Sequence, residues 1–138
     1  MWPAIWMMPS ESVYGGWPAS GEIDLVEIRG DNMQEILSTI HYGSDPTNHK
    51  YQGGTYLLSQ SNNLNEVFHE LSFIWEENSM KFILDNEFTV FEITSNQIGF
   101  DENYPFNEIF YLIINVAIGG NFVGNYVNNN DLCYADNA

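Results

Sequence analysis

The apolar residues of this chain recur at the spacing of β-strands and nowhere sustain the 3.6-residue spacing of a helix. They fall in short blocks separated by connectors rich in Asn, Ser and Gly, one of which spans 44–54. Side chains alternate between the two faces of a strand, so such blocks at spacings of roughly 8–12 residues are typical of an antiparallel sandwich. We expect strands near these ranges: 2–8, 20–29, 36–42, 67–75, 80–84, 87–93 and 109–118.

Three of these blocks carry more specific expectations. The run 109–118 is apolar on both faces, which favours a central strand of a two-layer structure. The blocks on either side of Asp85-Asn86 predict a hairpin with a two-residue turn, although the usual Gly is missing and the turn type stays open.

The charge balance restricts the class of partner. The 138 residues, about one domain in length, include 19 acids and 3 bases, for a net charge of −16. Nucleic acids and anionic membranes are bound through basic patches, so this balance argues against both and disfavours acidic polysaccharides. The excess of acids favours a neutral partner, unless its only role is to keep the protein soluble. Cys133, the single cysteine, permits no internal disulfide, and no secretory signal or bilayer-spanning apolar run is visible.

Three acids lie close together on one predicted strand. Glu22 and Asp24 share a face of a regular strand, whereas Glu27 points the other way. A β-bulge around 25–26 adds one residue and returns Glu27 to the face of the other two. Carboxylates crowded on one face repel each other, so at least one should have a raised pKa. A protonated acid beside an ionised one is what glycoside hydrolysis requires, although acids on a strand more often form a solvated face.

Aromatic side chains precede the acids. Indoles stack on the C–H faces of sugar rings, because they combine a large apolar surface with a polar edge. We expect Trp6 and Trp17, which lie near the acids, to line a cleft, and we assign Trp2 and Trp75 to the core.

The segments WPAIWM at 2–7 and WPASGEIDLVE at 17–27 resemble the active-site region of glycoside hydrolase family 16, in particular its laminarinase-like β-1,3-glucanases. Those enzymes carry Trp-Pro-Ala-x-Trp-Met and then Trp-Pro-x-x-Gly-Glu-Ile-Asp-x-x-Glu. Further similarities follow in family order at Thr39-x-His41, at Phe68-His69 and in the run 110–120. The resemblance covers residues 1 to about 125.

This resemblance implies an all-β fold, a concanavalin A-like jelly roll of two curved antiparallel sheets. By motif position, Glu22 corresponds to the nucleophile, Glu27 to the general acid/base and Asp24 to the acid that tunes the nucleophile. Three side chains correspond to sugar-contacting positions: Trp6, Trp17 and His41. The implied activity is retaining, endo-acting hydrolysis of β-1,3-glucan, a neutral polysaccharide, by a protein that is monomeric when complete. We expect no cofactor and no metal, and an extracellular location for the parent protein.

The chain also departs from the family. Complete family domains are considerably longer, so we expect residues 1–138 to be a partial catalytic domain that lacks the N-terminal strands and the closing C-terminal strand. Aromatic residues that would pack on the missing strands should then be exposed, and Phe73, Phe91 and Phe110 are the candidates. Three alternatives remain open: a non-catalytic β-1,3-glucan-binding protein, an inactive fragment, or a lectin-like sandwich with no role in glucan recognition.

Overall fold

The computed structural model describes residues 1–64, 66–98 and 103–124. Within these ranges the chain forms eight β-strands and four short 3₁₀ turns. None of the described helical segments has the length and apolar character needed to cross a membrane. The strands are β1 (Trp2–Pro9), β2 (Glu22–Arg29), β3 (Asn32–Tyr42), β4 (Lys50–Leu57), β5 (Leu71–Glu76), β6 (Ser79–Leu84), β7 (Phe88–Thr94) and β8 (Phe110–Ala117).

The strands form two sheets, and every neighbouring pair is antiparallel. Five strands make the larger sheet in the order β4-β3-β2-β1-β8, and the smaller sheet has the order β5-β6-β7. The predicted two-sheet β architecture is therefore confirmed. Alternate residues of the two sheets meet in a shared core, whose most buried apolar members include Ile23, Ile36, Ile40, Met80, Phe82, Leu84 and Ile93.

Strand β4 was not predicted, because most of it lies in the segment 44–54 that we assigned to a connector. Glycine is unfavourable in strands, and Gly53-Gly54 hid the pattern. The structure shows why glycine is needed here: a Cβ added to Gly54 would lie 1.9 Å from the carbonyl oxygen of Val90 on β7. The missing side chain lets β4 approach the second sheet, and β4 pairs with β3 along its length.

Strand β8 is an edge strand of the larger sheet, and the prediction of a central, doubly covered strand was wrong. Leu112 is 54% exposed, Ile114 70% and Val116 59%. The apolar character of both faces was read correctly, but one of those faces has no covering layer within the described part of the chain.

The prediction that three phenylalanines would be exposed was wrong. Phe110 is buried, at 9% exposure. Phe73 and Phe91 are partly buried and pack against the core. Their strands face the larger sheet, so the uncovered apolar surface lies on β8 instead.

The β6–β7 hairpin has a type I′ turn, since both central residues have positive φ, 54° at Asp85 and 57° at Asn86. Asp85 also anchors the entry to β5. Its carboxylate accepts a hydrogen bond from the backbone N–H of Glu70 and lies 2.8 Å from Nδ1 of His69. This local network occupies the first part of the predicted strand 67–75, and the strand itself begins at Leu71.

Candidate active site

The predicted β-bulge is present in β2. Asp24 pairs with Thr39 on β3, and the next paired residue, Glu27, lies opposite Leu37. Three steps along β2 therefore match two steps along β3, and the register with β1 shifts at the same place. The extra residue, within 25–26, resets the alternation of side chains.

A buried serine stabilises the bulge. Ser38 is fully buried, and its hydroxyl donates a hydrogen bond of 2.7 Å to the carbonyl oxygen of Leu25. A bulge interrupts the ladder of backbone hydrogen bonds, so a side-chain donor at this position satisfies an oxygen that would otherwise be buried without a partner.

The bulge brings Glu22, Asp24 and Glu27 into one cavity of about 200 Å³. The neighbouring strands β1 and β8 supply the rest of its lining, which consists of Trp2, Ala4, Trp6, Asn115 and Ala117. On a regular strand, the three-residue spacing from Asp24 to Glu27 would put Glu27 on the opposite face. With the bulge, the same spacing places all three carboxyl groups around this one cavity.

Glu22 lies at one end of this group. It accepts a short hydrogen bond from the indole N–H of Trp17, and its carboxyl group is within hydrogen-bonding reach of Asp24. Burial, followed by the charge of Asp24, raises the pKa of Glu22, and the hydrogen bond from Trp17 opposes that rise. Trp17 thus favours the ionised form of Glu22.

Asp24 is the most buried of the three acids, at 3% exposure. Burial raises its pKa to about 7. Nε2 of His41 lies 3.1 Å from Oδ2 of Asp24, within ion-pair distance, yet no aligned hydrogen bond reaches that oxygen from the described residues. The distance places the two groups together, and the geometry indicates a contact rather than a formed hydrogen bond.

Glu27 has a different environment from Glu22. It accepts a hydrogen bond of 3.1 Å from the indole N–H of Trp2. Burial, with a further contribution from the charge of Asp24, raises the pKa of Glu27 to about 7. A substantial fraction of Glu27 is therefore protonated near neutral pH, as a general acid requires.

Trp2 is not a core residue, contrary to our expectation. It lines the cavity and holds Glu27, and its ring packs against Phe122 at 5.0 Å between centroids. The alternation of Trp2, Ala4 and Trp6 along β1 would have predicted this, because the three residues share the face that lines the cavity.

The aromatic side chains predicted to contact sugar lie around the acids. Trp6 lines the cavity, and its N–H donates to Oδ1 of Asn115 at 2.7 Å. Trp17 is 41% exposed beside Glu22. His41 is paired with Glu22 across β2 and β3.

Asn115 was missed as a cavity residue, and the signal that could have found it is that it is a polar residue within the apolar run 109–118. Within the described residues, no group of three or more His, Cys, Asp or Glu side chains is arranged to hold a metal ion. Cys133 lies outside the described residues.

Comparison with known proteins finds a matching family and several relatives. The model of the glycosyl hydrolases family 16 matches residues 1–130. A glucan endo-1,3-beta-glucosidase of Cryptopygus antarcticus is 42% identical over 90% of this chain and 47% of its own length. A beta-1,3-glucan-binding protein of Penaeus monodon is 35% identical over 87% of this chain and 39% of its own length.

Among solved structures, the laminarinase catalytic domain of Thermotoga maritima superposes with a TM-score of 0.81 at 27% identity, covering 96% of this chain and 52% of that one. The chain thus spans about half the length of these relatives, or less. The family match extends over nearly the whole chain and includes the bulged strand with its three acids. The chain belongs to the glycosyl hydrolases family 16.

Proposed function

We propose that this chain is part of a catalytic domain that hydrolyses internal bonds of β-1,3-glucan with retention of configuration. The observation that carries the proposal is the bulge in β2, which gathers Glu22, Asp24 and Glu27 around one cavity. Relatives whose names include endo-1,3-beta-glucosidase and laminarinase support the substrate class.

The two outer carboxyl groups take different roles because their partners differ. Glu27, whose pKa is raised to about 7, is the proton donor to the glycosidic oxygen as the bond to the leaving sugar breaks. Glu22, which accepts a hydrogen bond from Trp17, is the nucleophile that bonds to the anomeric carbon. Glu27, now ionised, takes a proton from water, and the resulting attack breaks the glycosyl–Glu22 bond.

Asp24 lies between these two groups and connects them electrostatically. Its carboxyl group is within hydrogen-bonding reach of Glu22, and its charge raises the pKa of Glu27. Asp24 therefore tunes both groups, although we assign it no bond to the substrate.

The lining of the cavity favours a neutral sugar polymer. Trp6 and Trp17 offer indole surfaces near the acids, and such surfaces stack on sugar rings. Three acids in the cavity and a net charge of −16 disfavour sulfated glycans. Since glucan polymers of this kind lie outside cells, we place the parent protein there and expect the complete protein to act as a monomer.

The second candidate function is glucan binding without hydrolysis. The similarity to the glucan-binding protein of Penaeus monodon supports it. The three carboxyl groups around the cavity favour the enzyme, since binding a neutral polymer does not require crowded, partly protonated acids.

The test is the release of reducing ends from soluble β-1,3-glucan by this chain, by its Glu22→Ala variant and by Glu66→Ala, which removes an exposed acid far from the cavity in sequence. We expect release by the parent chain and by Glu66→Ala, and none by Glu22→Ala. NMR of the first product should show the β-anomer before mutarotation. Binding of glucan with no release by any of the three would favour the second candidate.

A further inference from the structure

A second histidine lies edge to edge with His41 beside the acids. The rings of His41 and His49 have centroids 5.0 Å apart and an angle of 26° between their planes. Nδ1 of His41 lies 2.7 Å from Nε2 of His49, which is hydrogen-bonding distance. The other ring nitrogen of His41 lies 3.1 Å from Oδ2 of Asp24. The contacts therefore run in series from His49 through His41 to Asp24.

His49 is held by a compact turn between β3 and β4. Asp45 caps this turn, and its carboxylate accepts hydrogen bonds from the backbone N–H groups of Thr47 and Asn48. Gly43 has a φ of 124°, and a Cβ there would lie 2.3 Å from the carbonyl oxygen of Asn48. These contacts fix the path of the turn that leads into His49.

Trp17 covers His49. The two rings are 4.8 Å apart between centroids, and the N–H of the same indole donates to Glu22. His49 therefore touches the acid cluster by two routes, through Trp17 and through His41.

The donor and acceptor properties of imidazole limit which ring nitrogens of His49 and His41 can carry a proton. A neutral imidazole has one N–H and one bare nitrogen, and a carboxylate can only accept. If the Nε2–H of His49 donates to Nδ1 of His41, the single proton of neutral His41 must be on Nε2. Burial lowers the pKa of both histidines, so the neutral forms prevail near neutral pH.

We propose that His49 is a positioning residue that donates to Nδ1 of His41 and so keeps the His41 proton on Nε2, the ring nitrogen that contacts Asp24. The effect on catalysis rests on the proposed function, whereas the proton arrangement does not. His49 acts through His41, and it needs no contact with substrate.

The charged and titratable groups around His41 come from three elements. They are Glu22, Asp24 and Glu27 on β2, Tyr51 on β4, and His49 in the turn. The charges of Glu22 and Glu27 raise the pKa of His41, against the larger lowering caused by burial. A donor to Nδ1 acts in the same direction as burial, because it occupies the site where His41 would gain its second proton.

Two variants separate the ring of His49 from its hydrogen bond. His49→Phe keeps an aromatic ring against Trp17 and removes the donor. His49→Gln loses the ring, but its amide nitrogen is the same number of bonds from Cα as Nε2 of histidine. The readouts are the ¹⁵N shifts and titration midpoint of His41 by NMR, and the pH profile of kcat on β-1,3-glucan. Thermal unfolding checks that each variant is folded.

In the parent chain we expect His41 to carry its proton on Nε2, with Nδ1 showing the shift of a hydrogen-bonded acceptor. In His49→Phe that shift should be lost, the midpoint of His41 should move to higher pH, and kcat should fall about threefold to tenfold, the equivalent of one neutral hydrogen bond. His49→Gln should stay close to the parent.

A proton on Nδ1 of His41 in the parent chain would overturn the proposal. So would the same shifts and midpoint for His41 in the Phe and Gln variants. If the chain does not hydrolyse glucan, the NMR measurements still decide the proton arrangement, and the failure then belongs to the proposed function alone. Should His49→Phe fail to fold, the parent chain and His49→Gln still supply the decisive ¹⁵N shifts.

Discussion

At the scale of single residues, the site assigns different roles to chemically identical groups through the indoles that contact them. Glu22 accepts from Trp17, which is exposed, and Glu27 accepts from Trp2, which lines the cavity. Each indole N–H stabilises the ionised form of its partner, while burial opposes ionisation of both. The balance between these two effects sets which acid holds a proton.

Replacing Trp2 by Phe should shift the alkaline limb of the pH profile of kcat/KM upward. The hydrogen bond from Trp2 lowers the pKa of Glu27, so its loss raises that pKa and keeps the general acid protonated to higher pH. A hydrogen bond to a charged group contributes about 1.5 kcal/mol, which corresponds to a shift of about one pH unit. The measurement is the rate of glucan hydrolysis between mildly acid and mildly alkaline pH.

Trp6→Phe is the matched control for this change. Its indole N–H donates to Asn115 and to none of the acids. We expect it to weaken substrate binding through the loss of stacking area and to leave the alkaline limb in place. A limb that stays in place in Trp2→Phe, or one that moves equally in both variants, would contradict the role given to Trp2.

Asp24 should make stability fall as the pH rises. Its pKa is about 7 in the folded chain against an ordinary 3.8, because of burial, so the folded state binds a proton that the unfolded state has released. Its contribution is fully present below pH 3.8 and is lost as the pH rises to about 7. Burial also raises the pKa of Glu27 to about 7, so Glu27 likewise lowers the free energy of unfolding as the pH rises.

We therefore expect Asp24→Asn to be more stable than the parent chain, by an amount that grows between pH 4 and about pH 7. The histidines follow the opposite trend, because burial lowers their pKa values, but they are present in both chains. Urea unfolding of both chains across this range measures the difference. A difference that is constant with pH would show that Asp24 titrates normally in the folded chain.

The positions of the acids could be predicted from the sequence because the bulge follows from strand alternation and a spacing of three between Asp24 and Glu27. The indole that holds Glu27 was missed, because Trp2 was considered as an apolar residue and not as a hydrogen-bond donor. His49 was missed for a different reason. The composition of the segment 44–54 indicates a connector, so its histidine gave no signal of a role in the site. The contact of His49 with His41 depends on the path of the turn, which the sequence does not show.

At the scale of secondary structure, glycine on β4 permits the close contact between the two sheets. Gly54→Ala should lower the free energy of unfolding by about 1–3 kcal/mol, the usual cost of overpacking, because the added Cβ would meet the backbone carbonyl of Val90 at 1.9 Å. Backbone cannot rotate away as a side chain does. The measurement is urea unfolding followed by tryptophan fluorescence.

The control for this substitution is Gly16→Ala. A Cβ at Gly16 meets nothing within 4 Å, and the residue is exposed. We expect its stability to stay within about 0.5 kcal/mol of the parent. If Gly54→Ala proved equally mild, the close approach of β4 to β7 would not be a constraint on the fold.

Most strands could be located from the sequence because blocks such as β6 and β7 carry their own alternation and a polar turn between them. The two errors at this scale concern context. Strand β4 owes its existence to pairing with β3 and to the approach of β7, which the glycines permit but do not reveal. Strand β8 has the composition of a buried strand, and its exposure depends on which layers surround it.

At the scale of the whole molecule, two properties oppose each other. The net charge of −16 keeps copies of the chain apart. The face of β8 that carries Leu112, Ile114 and Val116, opposite the face that lines the cavity, favours association, because it is apolar, exposed and part of an edge strand. Salt screens the charge repulsion between copies but does not weaken the apolar attraction through β8. Ionic strength should therefore determine whether the chain associates.

We predict that the chain self-associates through β8 as salt is raised, as measured by sedimentation velocity. The double substitution Ile114→Thr with Val116→Thr removes apolar surface from β8 but keeps the β-branched shape that suits a strand, so it should stay monomeric under the same conditions. Leu57→Thr removes a side chain that is 67% exposed on the opposite edge, β4, and should associate like the parent. A parent chain that stays monomeric at every salt concentration, or association that persists in the double variant, would show that β8 does not drive assembly.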